Sequence, residues 1–490
     1  MKEISPIAKP LIMIGFAFII FAGTRGALNP KSPLKWGTAF FSKYSFANQM
    51  GLNPLFTLAK TTSDSYKPEN QRVNFMDEKE ALQNVRKYLN VPDDAIKIER
   101  RQASGNHSDL RGKPLEMENE KQKMENGKAT YNVVLVIMES MSAKFMGTFG
   151  NKNHLTPVLD SLMNVSWAFT NFFSAGNHTF NGVYSNLFGM PALMGRHPMK
   201  DFENMQQPSG IANELRRFGY ETLFMCTHDE HFDNMGGFMR QNGFNKIISQ
   251  NDYKQEEILS ALGVPDHVLF REVISRCNEL KEPFFTAVLT ASNHPPVIIP
   301  ENIDFVSNQK ESDLASVQYA DWSIGQFLKN VQKERWFDRT VFVFVSDHGR
   351  FVSGDVYDMP ESYHHIPLIF YAPSILKENK KIDQLGCQID LLPTLMEILN
   401  FDFINVNLGI NMLKEKRDFV FFNEDNNLGC LNDSLFFVQR ESGVNSLYHY
   451  RNYDMNDYLN KYPGLVAEMK RYAESMVQTA QYLRKGNSTP

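Results

Sequence analysis

Apolar runs that end in acidic or imidazole side chains are the feature that most constrains the fold of this chain. The first run, YNVVLVIMES, begins at Tyr131, is continuous and rich in β-branched residues, and reaches an acid at Glu139. Runs of this kind are typical of strands that are buried on both faces of a parallel sheet. Similar runs follow along the chain: ETLFMCTHDEH, PFFTAVLTASNHPP, TVFVFVSDHG, HIPLIFYAP and FVFFNED.

Segments with helical spacing of apolar residues separate these runs. Examples are LTPVLDSLMN, GIANELRRFG and SVQYADWSIGQFLKNVQKERW. Strands that alternate with helices in this way predict an α/β fold, an α/β/α sandwich around a mostly parallel central sheet.

The chain after Asn400 has a different pattern. SLFFVQRESGVNSLYHYRN predicts paired antiparallel strands, and YPGLVAEMKRYAESMVQTAQYLRK predicts an amphipathic helix. Val466, Met469, Tyr472 and Met476 lie near one face of that helix. We therefore expect a small C-terminal α+β subdomain that completes the fold.

The N-terminal part contains an uncharged segment, PLIMIGFAFIIFAG, at residues 10–23. Extended back to Ile4 it has about 20 residues, the length that crosses a bilayer core. A membrane anchor is the first interpretation, and a signal peptide or a buried helix are the alternatives. Lys2 and Lys9 precede the segment and favour an extracytoplasmic location for the rest of the chain, although basic residues also follow it.

These observations predict four segments. We expect a membrane anchor at residues 1–25, a helical connector and charged linker at 26–130, a catalytic domain at 131–410 and the C-terminal subdomain at 411–490. In the connector, MDEKEALQNVRKYLN has the spacing of an amphipathic helix. Dense charge and few apolar residues then predict a solvated linker up to Lys128.

Charge and cysteine content exclude two classes of protein. The formal net charge is -5, so no basic excess indicates nucleic-acid binding. The cysteines are far apart and form no CxxC or Cys/His pattern, which argues against a zinc finger. They are Cys226, Cys277, Cys387 and Cys430.

Acidic and imidazole side chains end four of the predicted strands. Glu139 ends the first, His228 and His294 follow the next two, and Asp347 and His348 follow the fourth. In open α/β sheets, ligands bind beyond the carboxyl ends of the strands. We therefore expect these side chains to form one shared polar site.

The donor types at this site favour a divalent metal. Glu139 and Asp347 supply hard oxygen ligands, and His348 supplies one nitrogen. Such a set suits Mn²⁺ or Mg²⁺ better than Zn²⁺. Zn²⁺ is kept as an alternative. Thr179, in AGNHTFNGVYSNLFGMPAL, would lie at a helix N-terminus, and metal coordination would lower the pKa of its hydroxyl. Taken alone, the same threonine is a plausible helix cap.

Together, VIMES, LTPVLDSL, FTNFFSAGNHT, SNHPP, YADWSIGQFL and VFVFVSDHG resemble the lipoteichoic acid synthase and phosphoglycerol transferase family. That family lies in the sulfatase branch of the alkaline phosphatase superfamily, and the resemblance covers about Tyr131 to Asn400. It implies an alkaline-phosphatase-like fold, one divalent metal with Mn²⁺ as the first expectation, and Thr179 as the nucleophile. The metal ligands that it implies are Glu139, Thr179, Asp347 and His348.

The resemblance also implies substrate-binding residues. His294 in SNHPP matches a histidine that contacts the substrate, and His228 lies where the family has another. Arg240 in FMRQNGF corresponds loosely to a head-group arginine. His364 and His365, before IPLIFYAP, are similar to residues of other superfamily branches, and this resemblance implies that they could contribute to the same site.

The implied activity is transfer of a phosphoglycerol-type or phosphoethanolamine-type head group from a phospholipid to a polymer, glycan or lipid acceptor. The transfer would occur outside the cytoplasmic membrane, through a phosphorylated threonine. Two alternatives stay open: a phosphodiesterase or phosphatase with water as the acceptor, and a binding protein without turnover.

Three departures from the family pattern matter. The chain shows one hydrophobic span where the synthases usually have several, which fits a shortened homologue or a fragment. HDEHFDNMGGFMR lacks the expected tryptophan–Asn–Arg run, which leaves the head group open. Thr179 also stands where true sulfatases carry a Cys or Ser in C/S-x-P-x-R, so we do not expect sulfate ester hydrolysis by an aldehyde nucleophile.

Overall fold

The computed structural model describes residues 12–19, 50, 73–91, 131–194, 197–201, 205–207 and 209–485. Residues 12–19 are helical, and their side chains are exposed. Within these described stretches, no helix combines the length and the apolar character needed to cross a membrane. The rest of the predicted anchor and the charged linker lie outside the described residues.

An eight-stranded sheet in the order β5-β4-β6-β1-β7-β8-β2-β9 forms the centre of the fold. β1 pairs in parallel with both β6 and β7, and β8 runs antiparallel to its neighbours β7 and β2. The predicted mostly parallel sheet is therefore confirmed. Its strands are β1 (Asn132–Met138), β2 (Trp167–Phe169), β4 (Glu221–Cys226), β5 (Lys246–Ile248), β6 (Phe284–Leu289), β7 (Thr340–Ser346), β8 (Leu368–Tyr371) and β9 (Lys380–Ile382).

Both faces of this sheet are covered, which explains the uninterrupted apolar run in β1. Because successive side chains of a strand point to opposite faces, Val133 and Leu135 enter one hydrophobic core. Val134 and Val136 enter the core on the other face. All of β1 is buried, as a three-layer α/β/α arrangement requires.

Helices form the two outer layers. Val183 of α3 and Leu395 of α9 pack on one face of the sheet, and Leu159 of α2 and Val317 of α7 pack on the other. From residue 78 onward the helices are α1 (Glu78–Tyr88), α2 (Pro157–Val165), α3 (Thr179–Phe188), α4 (Ile211–Arg217), α5 (Met235–Gln241), α6 (Asp266–Glu279), α7 (Ser312–Val331), α8 (Glu361–His364), α9 (Leu391–Ile398) and α10 (Pro463–Lys485).

A separate antiparallel sheet follows the central one. Its four strands lie in the order β11-β12-β13-β14, and a two-stranded ladder of β3 and β10 stands apart. The strands are β3 (Phe172–Phe173), β10 (Gly386–Cys387), β11 (Val420–Glu424), β12 (Asn427–Leu431), β13 (Phe436–Gln439) and β14 (Asn445–Tyr448).

One strand prediction was wrong in its placement. The run FVFFNED forms β11, which belongs to this antiparallel sheet rather than to the parallel one. The reason is local, because only Asp425 and Asn426 separate β11 from β12, and Asp425 takes a positive φ of 53°. So short a connection permits a hairpin and no parallel crossover.

Two predicted helices that are far apart in the sequence, α1 and α10, are confirmed and contact each other. In α10, Met469, Tyr472 and Met476 are buried, and Val466 packs partly buried against the core. The ring of Tyr88 in α1 meets that of Tyr472 at a centroid distance of 5.1 Å. The helix predicted in the connector therefore packs against α10.

Candidate active site

Strand register brings the two predicted acids together. Met138 of β1 is aligned with Ser346 of β7, so the residues that follow them, Glu139 and Asp347, leave the sheet side by side. His348 comes next along the chain. One ligand atom from each of Glu139, Asp347 and His348 lies within 4.8 Å of the others, and all three residues are buried.

Thr179 is the first residue of α3, and the hydroxyl faces this cluster. Its Oγ1 lies 3.3 Å from Glu139 Oε2 and 3.5 Å from His348 Nε2. The helix cap is His178, so the start of the helix does not use the threonine hydroxyl. The predicted position at a helix N-terminus is confirmed.

Gly182 allows α3 to approach the end of β7. A Cβ atom at this position would lie 1.9 Å from the carbonyl oxygen of Asp347. Any side chain here would push the helix away, and Thr179, one turn earlier, would move with it. The sequence analysis did not single out this glycine, although an isolated glycine inside a helix is a signal of close packing.

Ser140 and the backbone fix the two carboxylates. The Ser140 amide donates to Asp347 Oδ1 at 2.8 Å, and its hydroxyl donates to Glu139 Oε1, also at 2.8 Å. Ser140 has a positive φ of 52°, a backbone strain that is often found at functional sites. The other oxygen, Asp347 Oδ2, is buried and has no hydrogen-bond partner among the described residues.

The tautomer of His348 follows from its contacts. Nδ1 lies 2.6 Å from the Gly349 carbonyl oxygen, which can only accept, so Nδ1 carries the proton. Nε2 then keeps its lone pair, and it lies 3.5 Å from Asp347 Oδ2. Burial lowers the pKa of His348, which favours this neutral form. A neutral imidazole held through its second nitrogen is the usual state of a metal ligand.

The raised pKa values of the two carboxyl groups indicate that the cluster lacks a positive charge. Burial, with a further contribution from the Asp347 carboxylate, raises the pKa of Glu139 to about 8. Burial also raises the pKa of Asp347 to about 6. A cation placed between the two would stabilise both charged forms. The unpartnered Asp347 oxygen, the Glu139 oxygen, the His348 nitrogen and the Thr179 hydroxyl fit a hard divalent metal such as Mn²⁺ or Mg²⁺.

The two predicted substrate histidines lie at the same edge of the sheet. His228 follows β4 and is buried, and His294 follows β6 and is exposed. Burial is the main cause of the pKa shifts of Glu139, His228 and His348, and the His294 imidazole contributes to all three. His294 is therefore close enough to all three residues to act on their charge, and it lies at the mouth of the site.

The structure gives the other predicted residues different partners. Arg240 on α5 forms an ion pair with Glu230 at 2.5 Å. His365 packs its ring on Phe173 at 5.2 Å, as a core residue would. His364 is fully buried, with Nε2 3.5 Å from a carboxylate oxygen of Glu424 in the C-terminal sheet.

Two side-chain amides that bind the backbone of the site were not predicted from the sequence. The Gln388 amide donates to the carbonyl oxygens of Ser346 at 2.9 Å and of Asp347 at 2.6 Å. Asn186 of α3 donates to the same Ser346 oxygen at 3.1 Å. These contacts hold the end of β7, but isolated amide residues carry no sequence signal for such a role.

The sequence profile described as Sulfatase matches residues 131–401, more than half of the chain. The chain belongs to the sulfatase family. Sulfatase-like proteins are enzymes, so the cluster described above lies in an enzyme fold, and the resemblance noted from the sequence is confirmed at the family level.

Curated relatives of this sulfatase-family chain include lipoteichoic acid synthases. Lipoteichoic acid synthase-like YvgJ of Bacillus subtilis is 22% identical over 55% of this chain and 48% of its own length. Lipoteichoic acid synthase 2 of the same species is 24% identical over 55% of this chain and 45% of its own. The chain thus spans about half the length of the curated relatives it matches.

Solved structures show the same fold. A Vibrio parahaemolyticus protein of the alkaline phosphatase superfamily has a TM-score of 0.71 and 24% identity, covering 86% of this chain and 100% of that one. The lipoteichoic acid synthase LtaP of Listeria monocytogenes has a TM-score of 0.62 and 20% identity, covering 74% and 93%. The predicted alkaline-phosphatase-like architecture is confirmed.

Proposed function

We propose that this sulfatase-family enzyme is a metal-dependent phosphotransferase with Thr179 as its nucleophile. It moves a phosphoglycerol-type or phosphoethanolamine-type head group from a phospholipid to a polymer, glycan or lipid acceptor. The observation that carries the proposal is the position of Thr179 Oγ1, 3.3 Å from Glu139 Oε2 and 3.5 Å from His348 Nε2. The helix cap is His178, so capping does not explain the position of the Thr179 hydroxyl.

Glu139, Asp347, His348 and Thr179 would hold one divalent metal, with Mn²⁺ as the first candidate and Mg²⁺ as the second. When bound, such a metal lowers the pKa of a coordinated hydroxyl and neutralises charge on phosphoryl oxygens. Asp347 Oδ2 has no hydrogen-bond partner among the described residues, and a metal would satisfy it. His348 is already in the ligating tautomer.

The covalent steps use the chain's own groups. Thr179 Oγ1 attacks the phosphorus, the bond from phosphorus to the diacylglycerol oxygen breaks, and the threonine proton ends on that departing oxygen, which leaves the head-group phosphate esterified to Thr179. An acceptor hydroxyl then attacks the same phosphorus, the bond from phosphorus to Thr179 Oγ1 breaks, and the acceptor's proton returns to Thr179. The N-terminus of α3 carries the positive end of the helix dipole and favours the anionic phosphoryl group beside Thr179.

His294 and His228 are the proposed head-group contacts. His294 is exposed at the mouth and His228 lies deeper, so the two span the depth of the approach. Arg240 would bind the head group only if it left its ion pair with Glu230, which makes it the weakest member of the set.

The identity of residue 179 favours phosphate over sulfate. A threonine does not mature into the aldehyde that sulfate ester hydrolysis requires, whereas its hydroxyl supports phosphoryl transfer directly. Two relatives, each matched over about half of its length, are named as a lipoteichoic acid synthase or as similar to one. These names agree with a phosphorylated lipid as the donor. We further propose that residues 4–23 anchor the enzyme in the cell membrane with residues 131–410 on the extracytoplasmic side.

The test is a turnover assay on the purified full chain. A phospholipid with a fluorescent acyl chain is incubated with Mn²⁺, with and without an acceptor glycolipid. Diacylglycerol that forms only with the acceptor, and without free phosphorylated head group, indicates transfer. Release of free phosphorylated head group indicates hydrolysis. Absence of turnover with every divalent metal would contradict the proposal and favour a binding protein.

A separate experiment tests on which side of the membrane the catalytic domain lies. Protease added outside spheroplasts should digest the catalytic domain if residues 4–23 place it beyond the membrane. Protection of the domain would locate it in the cytoplasm and contradict the proposed donor.

A further inference from the structure

Three neighbouring loops at the site share a two-part pattern. Each carries a polar residue of the site in the loop that follows its strand, and a large apolar residue four positions further along the chain. The apolar residues are exposed: Phe232 by 51%, Ile298 by 41% and Phe351 by 54%. The pairs are His228 and Phe232 after β4, His294 and Ile298 after β6, and Asp347 and Phe351 after β7.

Contacts within and between these loops hold the polar and the apolar residues near each other. The Phe232 ring meets the His228 ring at 5.2 Å. Arg350, next to Phe351, donates to the carbonyl oxygen of Asn293, next to His294, at 3.2 Å. We call Phe232, Leu259, Ile298 and Phe351 the apolar rim.

Leu259 extends the rim to a fourth loop. It is 41% exposed, follows β5, and lines one shallow cavity together with Ile298 and His294. β5, β4, β6, β1 and β7 are adjacent and parallel, so the loops that follow them all emerge at the same edge of the sheet. The apolar rim therefore borders the same opening as the polar site.

Exposed apolar side chains grouped around a site mark an interaction surface. The occupant follows from the proposed function, on which this step rests. In a phospholipid only the glycerol unit separates the phosphorus from the acyl chains. When the phosphorus reaches Thr179, whose hydroxyl is partly buried, the acyl end of the molecule must lie at the mouth.

We infer that the apolar rim inserts into the surface of a phospholipid bilayer, so that a head group reaches Thr179 while its acyl chains stay in the membrane. The inserted residues are uncharged, and the chain has a net charge of -5. Attraction to anionic lipids therefore does not explain binding at this face. Insertion is driven by apolar burial and should withstand high salt.

A depth measurement tests insertion in the full chain. The native cysteines are all buried, so one new cysteine can carry an environment-sensitive fluorophore. Ile298→Cys and Phe351→Cys report on the rim. Val165→Cys is the matched control, because Val165 is 48% exposed but ends α2 just before β2, at the opposite edge of the sheet.

The labelled proteins are reconstituted in phosphatidylglycerol and phosphatidylcholine vesicles that contain spin-labelled lipid. We expect strong quenching at positions 298 and 351, little at position 165, and the same difference at high salt. Equal quenching at positions 298 and 165, or quenching that high salt removes, would overturn the inference.

A second experiment separates the rim from the chemistry. The Leu259→Ser, Ile298→Ser, Phe351→Ser triple variant should lose about tenfold in turnover of vesicle phospholipid, because three apolar anchors are removed. Its turnover of the water-soluble diester bis(p-nitrophenyl) phosphate should stay within about twofold of the original, since it leaves the metal ligands intact. Phe232 is left in place because its ring contacts His228.

Val165→Ser should change neither rate. An unchanged rate of the triple variant on vesicles, or an equal loss on both substrates, would contradict membrane insertion by the rim. A wild-type protein that cleaves neither substrate would contradict the proposed function itself, and the quenching measurement would still decide the rim.

Discussion

Two buried ionic clusters in this molecule differ in how their charges are balanced. In the first, the Arg417 guanidinium donates to both oxygens of Asp390 at 2.9 Å, to the Leu408 carbonyl oxygen at 2.6 Å and to the Tyr472 hydroxyl at 2.9 Å. In the second, Glu139 and Asp347 lie together, with the neutral His348 beside them.

Burial is nearly the same in the two places, so exposure does not explain the difference. Asp390 and Asp347 are both 0% exposed. Asp390 has its countercharge in the chain, and the backbone amides of Cys387 and Ile410 donate to it as well. Asp347 keeps one oxygen without a hydrogen-bond partner in the described part of the chain. Buried charges with a structural role are paired within the chain, whereas the buried charges of a ligand site are balanced by the ligand.

The largest predicted effect is on turnover. Thr179→Ala removes the nucleophile, so activity should fall by about a thousandfold or more. The folded state should lose only ~1 kcal/mol, the typical net contribution of one hydrogen bond such as that from Thr179 to Glu139. Thr179→Ser keeps the oxygen and should retain partial activity. Rates on a fluorescent phospholipid and urea unfolding curves measure the two quantities. A Thr179→Ala protein that works at the wild-type rate would make the hydroxyl dispensable.

The next effect is on folding and belongs to the first cluster. Arg417→Met leaves Asp390 buried without its countercharge, which should cost about 3–5 kcal/mol in the free energy of unfolding. Urea denaturation with and without Mn²⁺ measures it, and the loss should be the same under both conditions. A cost below about 1 kcal/mol would show that the pair is not the balanced structural site described here.

Asp347→Asn should have the opposite effect: little change in the stability of the metal-free protein, and loss of the stabilisation by Mn²⁺. It removes a buried carboxylate that has no countercharge in the described part of the chain, so the metal-free protein should be as stable as the original or more so. Wild-type protein should gain about 2.7 kcal/mol from Mn²⁺ at a hundredfold excess over its Kd, and the variant should gain almost nothing. Glu139→Gln should behave in the same way. Equal metal stabilisation of variant and wild type in thermal melts would place the metal elsewhere.

The smallest predicted effect tests how closely α3 must approach β7. Gly182→Ala puts a methyl group on the Asp347 carbonyl and should cost about 1–3 kcal/mol, with weaker Mn²⁺ binding. Gly464→Ala is the matched control, because nothing lies within 4 Å of its new Cβ in α10. Calorimetric titration of both variants with Mn²⁺ should show a loss for Gly182→Ala alone.

The sequence predicted the strands that carry the site better than the contacts that shape it. A run such as NVVLVIM has to be buried on both faces, and that alone indicates a parallel sheet with Glu139 at its carboxyl edge. FVFFNED also opens with an apolar run, but the two-residue turn that follows it makes it one strand of a hairpin. Burial pattern predicts that a strand exists, whereas the length of the connection decides which sheet it joins.

The acids and histidines of the candidate site were predictable because each lies in the loop that follows a buried strand. The supports were not, because their role depends on distant partners. Ser140 binds Asp347 across two strands, and Gln388 reaches the same loop from far along the chain. Arg240 shows the converse, since a sequence match alone did not reveal its ion pair with Glu230.

The central claim is that Thr179 becomes covalently modified during turnover. The most direct measurement is mass spectrometry of the peptide that contains Thr179, after the enzyme has been mixed with Mn²⁺ and phospholipid and quenched in acid. We predict a phosphorylated head group on Thr179, absent without lipid, absent in Thr179→Ala and lost when acceptor is added. An unmodified Thr179 peptide from enzyme that is actively turning over, with no acceptor present, would contradict the account.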